Sequence, residues 1–194
     1  MPTQCYMIER TNMKRTWLRR YTTSQQSCPL EWGYHNAEVF WGEGEPEDDL
    51  DHSLWPVVCP CGHQFSQDDA YQVFTLDVWR RPDTGELGVN HMSHDQSFGP
   101  GAMWYADWLE GITDWLGPDD KSLWVRLPDG TDWGIDTRAN NCTMPDDHVR
   151  KCWVRHGEPP LVTVDKNGLT CAAGAGSVGT TGWHGFLRHG VLVE

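Results

Sequence analysis

The sequence feature that most constrains this chain is a pair of cysteines one residue apart, in the stretch "VCPCGHQF" (residues 58–65). Two cysteines this close do not readily bond to each other, because their side chains diverge in an extended chain. A turn tightened by the proline and opened by the glycine can instead aim both thiolates at one ion, as in half of a tetrahedral zinc site. Cys59 and Cys61 are therefore candidate metal ligands, and His63 is a candidate ligand or a hydrogen-bond donor beside them. Reduced structural thiols and a redox role are the alternatives.

The remaining ligands must come from elsewhere in the chain, and the sequence offers several. Cys171 and His184 flank the predicted C-terminal hairpins and form one possible pair. Cys142 and Cys152 flank a loop-like stretch and are equally suitable by residue type. The other cysteine and histidine candidates are Cys28 and His35 upstream, and His189 near the C-terminus. Spacing alone does not choose among these sets.

The distribution of charge argues against a nucleic-acid partner. The chain has 194 residues and a formal net charge of −13. Residues 31–137 carry 22 acidic side chains against four basic ones, whereas residues 1–20 carry five basic side chains against Glu9. Binding to nucleic acid requires cationic side chains that release counterions from phosphates, so we expect none here. The basic N-terminal segment is typical of a solvated helix or strand edge, with docking of an acidic partner as the alternative.

Apolar runs and cysteine content indicate a cytoplasmic protein. No run approaches the roughly 18 apolar residues that a membrane span needs, and the N-terminus lacks the apolar core of a signal peptide. Seven cysteines is an odd number. We therefore expect reduced thiols in a cytosol-like compartment and no membrane partner.

Most periodic patterns in the chain indicate strands, and one indicates a helix. Residues 71–79 alternate apolar and polar side chains as a strand does. Turn-forming pairs predict three hairpins, in residues 122–136, 161–172 and 184–194. In residues 103–116, apolar side chains recur at three- and four-residue spacing, which predicts one amphipathic helix that packs on a sheet. The predicted fold class is therefore α+β, a β-rich hairpin domain with one main helix and a zinc-binding turn.

Composition suggests a division of the chain after residue 52. Residues 43–51 contain six acids among nine residues, which is typical of an exposed loop, and the pattern lacks the alternating acids and sixth-position glycine of a calcium loop. We predict an N-terminal extension with this acidic loop over residues 1–52 and a metal-stapled β-rich domain over residues 53–194. One single domain overall is the alternative.

The chain contains twelve tryptophans, mostly interleaved with polar residues. Each buries a large area and carries an N–H group that needs a partner. We expect most of them to pack into a broad aromatic core. An exposed aromatic surface that binds a carbohydrate or another small ligand is the alternative.

Two further motifs carry little weight. "GAGSVG" (residues 174–179) matches a dinucleotide-binding fingerprint and nearly matches a nucleophile elbow around Ser177. Only 15 residues follow it, which leaves no room for the helix that either site requires. His91 and His94 form a separate H-x2-H-D cluster that we expect to lie on a solvated loop, with a metal site or an acid–base pair as the alternatives.

Residues 152–192, together with the C-x-C-G motif, resemble a family of uncharacterised proteins of actinobacteria and their bacteriophages. More distantly they are similar to the DUF6527 family, small proteins predicted to bind zinc through an upstream Cys-x-Cys-Gly and a C-terminal histidine. The cysteine that stands just before that histidine in the family is replaced here by glycine and tryptophan. The resemblance implies a β-rich domain held by one structural zinc ion, with these ligands: Cys59, Cys61, His184 and, as the nearest available cysteine, Cys171.

Two hypotheses for function follow. The first is a non-enzymatic structural or protein-interaction module, such as a phage virion component or accessory factor, that works through a protein partner or self-assembly. The second is a zinc-dependent hydrolase, in which Cys59, Cys61 and His184 hold the metal and leave one position for water. The chain lacks the H-x-E and P-C-x-x-C signature of the zinc deaminases. A fourth protein ligand on the metal favours the first hypothesis.

Overall fold

The computed structural model describes residues 1–21, 27–30, 33–38, 55–66, 69–90, 98–109, 116–139, 142, 152–167 and 176–194. The chain divides into two compact units, which we call the large unit (residues 1–9, 81–86 and 98–194) and the small unit (residues 10–80 and 87–97). The predicted acidic loop and the histidine pair at positions 91 and 94 lie outside the described residues. The division after residue 52 stays a prediction.

The regular secondary structure of the described residues consists almost entirely of β-strands. In chain order these are β1 (Thr3–Gln4), β2 (Tyr6–Met7), β3 (Glu9–Tyr21), β4 (His35–Glu38), β5 (Tyr71–Arg80), β6 (Leu87–Val89), β7 (Ala102–Tyr105), β8 (Leu123–Arg126), β9 (Asp132–Gly134), β10 (Val154–His156), β11 (Thr163–Asp165), β12 (Val178–Gly179), β13 (His184–Arg188) and β14 (Val191–Val193). One turn of 3-10 helix covers Asp107–Leu109. No helix among the described residues is long and apolar enough to cross a membrane.

The predicted α+β class is wrong, because the described part of the chain is all-β and forms four small sheets. The predicted helix over residues 103–116 begins instead as β7, which lies between β2 and β8. Ala102, Met103 and Trp104 are all buried. A strand covered on both faces shows a continuous apolar run, which periodicity alone does not distinguish from a buried helix. Trp108 is 55 % exposed, so it shares no buried face with Trp104.

The large unit contains three of the four sheets. Their strand orders are β1-β14-β13-β12, β2-β7-β8-β9 and β10-β11. Apolar side chains from all three sheets meet in one core, which includes Met103, Leu123, Val125, Val164 and Leu187. Pairing of β1 with β14 joins the first strand of the chain to the last.

Two of the three predicted hairpins are confirmed. β8 and β9 pair antiparallel around a turn in which the backbone N–H of Leu127 donates to the carbonyl of Thr131. β13 and β14 pair around His189 and Gly190, whose φ angles of 46° and 71° are those of a tight hairpin turn. In the third, β11 is a strand as predicted, while residues 168–175 lie outside the described part of the chain.

The small unit is built on one sheet with the strand order β4-β3-β5-β6. The predicted strand over residues 71–79 is confirmed as β5. β3 and β4 pair antiparallel so that Tyr21 lies opposite His35. Among the described residues, the buried core at this end of the sheet consists of Tyr21, Ala37 and Trp55, with Phe65 and Tyr71 packed against it. The segment that carries the C-x-C motif lies beside this core.

Candidate metal centre

The two cysteines of the C-x-C motif lie in a tight hairpin over residues 57–65, which we call the knuckle. At its base the backbone N–H of Phe65 donates to the carbonyl of Val57 at 2.9 Å. At its tip the N–H groups of Cys59 and Gly62 donate to the carbonyls of His63 and Cys59, each at 2.8 Å. Gly62 has a φ of 91°, a left-handed conformation that side chains with a Cβ disfavour. The local sequence therefore folds the knuckle that its composition predicts.

Two further donors come from segments upstream of the knuckle. Cys28 begins a short loop closed by a bridge to Gly33, whose carbonyl accepts a hydrogen bond from the Cys28 N–H at 3.2 Å. His35 is the first residue of β4 and lies opposite Tyr21 of β3. The sheet fixes the backbone of His35, and the loop brings Cys28 to the same place.

These segments bring Cys28, His35, Cys59 and Cys61 together, and we call the four residues the metal cluster. One donor atom from each lies within 4.8 Å of the others. Cys28 Sγ lies 3.8 Å from Cys59 Sγ, and Cys61 Sγ lies 3.3 Å from His35 Nδ1. In a tetrahedral zinc site with ordinary bond lengths, two sulfurs are about 3.8 Å apart and a sulfur and a nitrogen about 3.6 Å. The donor set and its spacing therefore fit one metal ion such as zinc.

The surroundings of the metal cluster favour a bound cation. Cys28, His35 and Cys59 are buried, and Cys61 is half-buried. Burial raises the pKa of the Cys59 thiol above its ordinary value, although backbone hydrogen bonds from Cys61 and Asn36 oppose that shift. Buried thiolates are costly without a compensating positive charge, and a divalent ion supplies it.

Aromatic side chains attach the knuckle to the sheet beside the metal cluster. Phe65, at the end of the knuckle, stacks on Tyr21 with ring centroids 3.9 Å apart and planes 11° apart. The guanidinium of Arg19 lies over the ring of Trp55 at 4.1 Å and over that of Tyr71 at 4.7 Å. The knuckle is thus joined to β3 by packing as well as to Cys28 and His35 by the shared site.

The structure brings together two of the four residues that were favoured as ligands from sequence, Cys59 and Cys61. His184 lies on β13 in the large unit, where it is exposed and its Nε2 lies 3.0 Å from Ser177 Oγ. Cys171 lies outside the described residues. The alternatives Cys142, Cys152 and His189 also belong to the large unit, and His63 lies beside the metal cluster.

The sequence named Cys28 and His35 only as upstream candidates, because nothing in their spacing matches a familiar ligand motif. The signal that could have selected them is proximity along the chain. Cys28 stands 31 residues before Cys59, and His35 stands 26 residues before Cys61. The favoured His184 is far more distant in sequence.

The disulfide state agrees with a metal-binding role for these thiols. None of the six cysteines that the structure describes forms a disulfide, and three of them belong to the metal cluster. Three thiolates and one imidazole fill the four positions of a tetrahedral ion, which is the arrangement of structural rather than catalytic zinc sites.

Comparisons of the chain with protein-family models, curated proteins and solved structures found no match. The resemblance carried by residues 152–192 therefore stays a prediction, and the metal centre is interpreted from its own geometry.

Proposed function

We propose that this protein is a non-enzymatic module whose small unit is held together by one structural zinc ion and which acts through a protein surface. The observation that carries the proposal is the set of three cysteines and one histidine, three of them buried and Cys61 half-buried, with donor atoms within 4.8 Å of one another. Four protein ligands occupy every position of a tetrahedral ion and leave none for substrate or water.

A zinc ion at this position would hold separate segments of the small unit together. Its ligands come from the loop at Cys28, the edge strand at His35 and the knuckle, so the ion would tie three separate segments of the small unit to one point. In the described part of that unit, the buried apolar core at this end of the sheet consists of Tyr21, Ala37 and Trp55. An ion that joins these segments would add its binding energy to the stability that this core provides. Metal-binding energy would then be folding energy.

The alternative of a zinc-dependent hydrolase has less support. A hydrolytic zinc site needs an open position for water and a nearby carboxylate as general base. Within the described part of the chain, the metal cluster offers a fourth protein ligand and includes no carboxylate. The aromatic-binder alternative has little support too, since Trp108 alone is exposed among the nine tryptophans that the structure describes.

A protein partner, or a second copy of the chain, is the occupant that we propose for the exposed surface of the small unit. Several large apolar side chains close in sequence to the ligands are exposed, at 41–70 % of their area: Leu30, Tyr34, Val57 and Val58. Contiguous exposed apolar patches mark interaction surfaces, and these side chains are the ones that such a surface would use. The role as a bacteriophage virion component or accessory factor rests on the sequence resemblance and is part of the same proposal.

Metal analysis of the purified protein and of paired variants tests the proposal. We expect about one zinc per chain in the wild type, and loss of zinc in Cys28→Ser and His35→Ala. The matched controls are Cys142→Ser and His184→Ala, which change the same residue types in the large unit and should retain zinc. A wild type without metal, or loss of zinc in the control variants alone, would overturn the proposal.

A further inference from the structure

His63 follows the two knuckle cysteines and covers one face of His35. The two imidazole rings are stacked, with centroids 4.0 Å apart and planes 17° apart. His35 is buried, at 2 % exposure, whereas His63 is half-buried. The Nδ1 edge of the His35 ring faces Cys61 Sγ at 3.3 Å. His63 therefore lies on the face of a ligand ring and is not itself one of the four residues of the metal cluster.

The position of His63 is fixed by contacts on both sides. Its backbone carbonyl accepts the hydrogen bond from the Cys59 N–H at 2.8 Å, so the knuckle holds its backbone. Its ring lies edge-on to Phe65, with centroids 6.1 Å apart and planes 69° apart. Phe65 in turn stacks on Tyr21, which lies opposite His35 in the sheet. The four residues His35, His63, Phe65 and Tyr21 form a closed circuit of contacts.

This circuit matters because of the ligand that it restrains. Imidazole is the neutral donor beside three thiolates, so its bond to a cation costs the least electrostatic energy to break. Release of the metal to a competing ligand would begin with rotation of the His35 ring away from the ion. A flat ring packed 4.0 Å from its face opposes that rotation. Outer residues that orient metal ligands, usually through hydrogen bonds, change metal affinity by about 10- to 100-fold when they are mutated, and a stacked ring has the same orienting effect.

We propose that His63 is a positioning residue of the metal centre, which holds the His35 ring in its ligating orientation and slows release of the metal. The inference rests on the proposed zinc site. His63 acts on this site through its stacking contact with His35 and makes no bond to the metal.

The test is the rate at which the zinc-loaded full chain loses zinc to excess EDTA. We expect His63→Ala to release zinc about 10- to 100-fold faster than the wild type. His63→Phe keeps a flat ring but no donor nitrogen, and we expect its release rate to lie close to that of the wild type. His156→Ala, which removes an exposed histidine in the large unit, is the control and should leave the rate unchanged.

Absorption spectra of the cobalt-loaded proteins show whether His63 binds the metal itself or only orients His35. Because His63 does not bind the metal, the Co²⁺ absorption bands should be the same in the wild type and in both His63 variants. Unchanged release from His63→Ala overturns the inference, and so does release from His63→Phe that is as fast as from His63→Ala. An altered cobalt spectrum in both variants would make His63 a ligand and also overturn it. If the wild type binds neither zinc nor cobalt, the proposed metal site itself is wrong. That result differs from a failure of the inference about His63, in which the wild type still binds metal.

Discussion

Gly62 is the residue on which the shape of the knuckle most depends. Its φ of 91° is unfavourable for any residue with a Cβ, yet an added Cβ would meet nothing within 4 Å. The cost of Gly62→Ala is therefore conformational rather than steric, about 1–3 kcal/mol in the free energy of unfolding. Urea denaturation of the zinc-loaded variant measures this cost.

Gly99→Ala is the matched control for that prediction. A methyl group added at Gly99 would also meet nothing within 4 Å, but Gly99 does not have a left-handed φ. Its replacement should therefore change stability by less than about 0.5 kcal/mol. Equal effects of the two substitutions would show that the backbone of Gly62 is under no special conformational constraint.

Asp119 belongs to an ion-pair network in the large unit that is centred on Arg155. Arg155 donates to both carboxylate oxygens of Asp119, at 3.1 and 2.5 Å, and also to Asp136 at 3.1 Å. Tyr105 donates its hydroxyl to Asp119 at 2.9 Å. Burial alone would raise the pKa of Asp119, but the hydrogen bonds from Arg155 and Tyr105 outweigh it and leave that pKa below its ordinary value. Burial raises the pKa of Asp136, so the pKa shifts of the two carboxyl groups contribute to the pH dependence of stability with opposite signs.

A lowered pKa in the folded state means that ionised Asp119 stabilises the protein above its unfolded pKa of about 3.9. This stability is lost as the pH falls through the folded pKa. We expect Asp119→Asn to lower the free energy of unfolding of the large unit by about 1–3 kcal/mol at pH near 7. The difference from the wild type should shrink as the pH falls below about 3.9, because Asp119 then becomes protonated and neutral like asparagine. Urea denaturation of the metal-free wild type and variant over this pH range measures the difference in free energy of unfolding. A difference that grows in acid would contradict a lowered pKa for Asp119.

At the residue scale, the sequence predicted the part of the metal centre that is local. Cys59 and Cys61 lie in one turn, whose shape depends on Pro60 between them and on Gly62 after them. Cys28 and His35 reach the same point only through the pairing of β3 with β4 and the closure of a loop. Strand pairing and loop closure depend on contacts between residues distant in sequence, so residue types alone do not predict them.

At the scale of elements, the knuckle is a separate hairpin that depends on its contact with β3. The stack of Phe65 on Tyr21 is the packing contact that aligns the two. We expect Phe65→Ala to lower the free energy of unfolding by about 1–3 kcal/mol, since an aromatic pair and part of its buried area are lost. Zinc release to EDTA should also become faster in this variant, because the His63 ring loses its edge contact.

Phe65→Tyr is the control for the element-scale prediction, because it keeps the ring and adds one hydroxyl. It should keep both the stability and the release rate near those of the wild type. If Phe65→Ala released zinc no faster than Phe65→Tyr, the knuckle would be held by its metal ligands alone.

Element types were predictable where turn chemistry decides them. The hairpin turns at Gly130 and at His189-Gly190 are confirmed because left-handed backbone positions select particular residues locally. The segment that begins with β7 was predicted as a helix because its tryptophan spacing fits a helical period. Pairing with β2 and β8 on its two edges, together with burial of its side chains, overrides that local pattern.

At the scale of the whole molecule, we predict that metal removal affects the two units differently. All four residues of the metal cluster belong to the small unit, whereas twelve buried apolar residues of the described chain form a core in the large unit. Chelation should therefore increase hydrogen exchange in β4 and the knuckle while exchange in β7 and β8 stays slow. Hydrogen-exchange mass spectrometry of the loaded and chelated protein measures both. Equal loss of protection in the two units would show that the ion stabilises the whole chain rather than the small unit.

The central claim is that one zinc ion is bound by three cysteines and one histidine in the small unit. Zinc K-edge X-ray absorption of the loaded protein tests it most directly. We predict three sulfur neighbours at about 2.3 Å and one nitrogen at about 2.0–2.1 Å. Two sulfur neighbours with two nitrogen or oxygen neighbours, or a water oxygen in the fourth position, would contradict it.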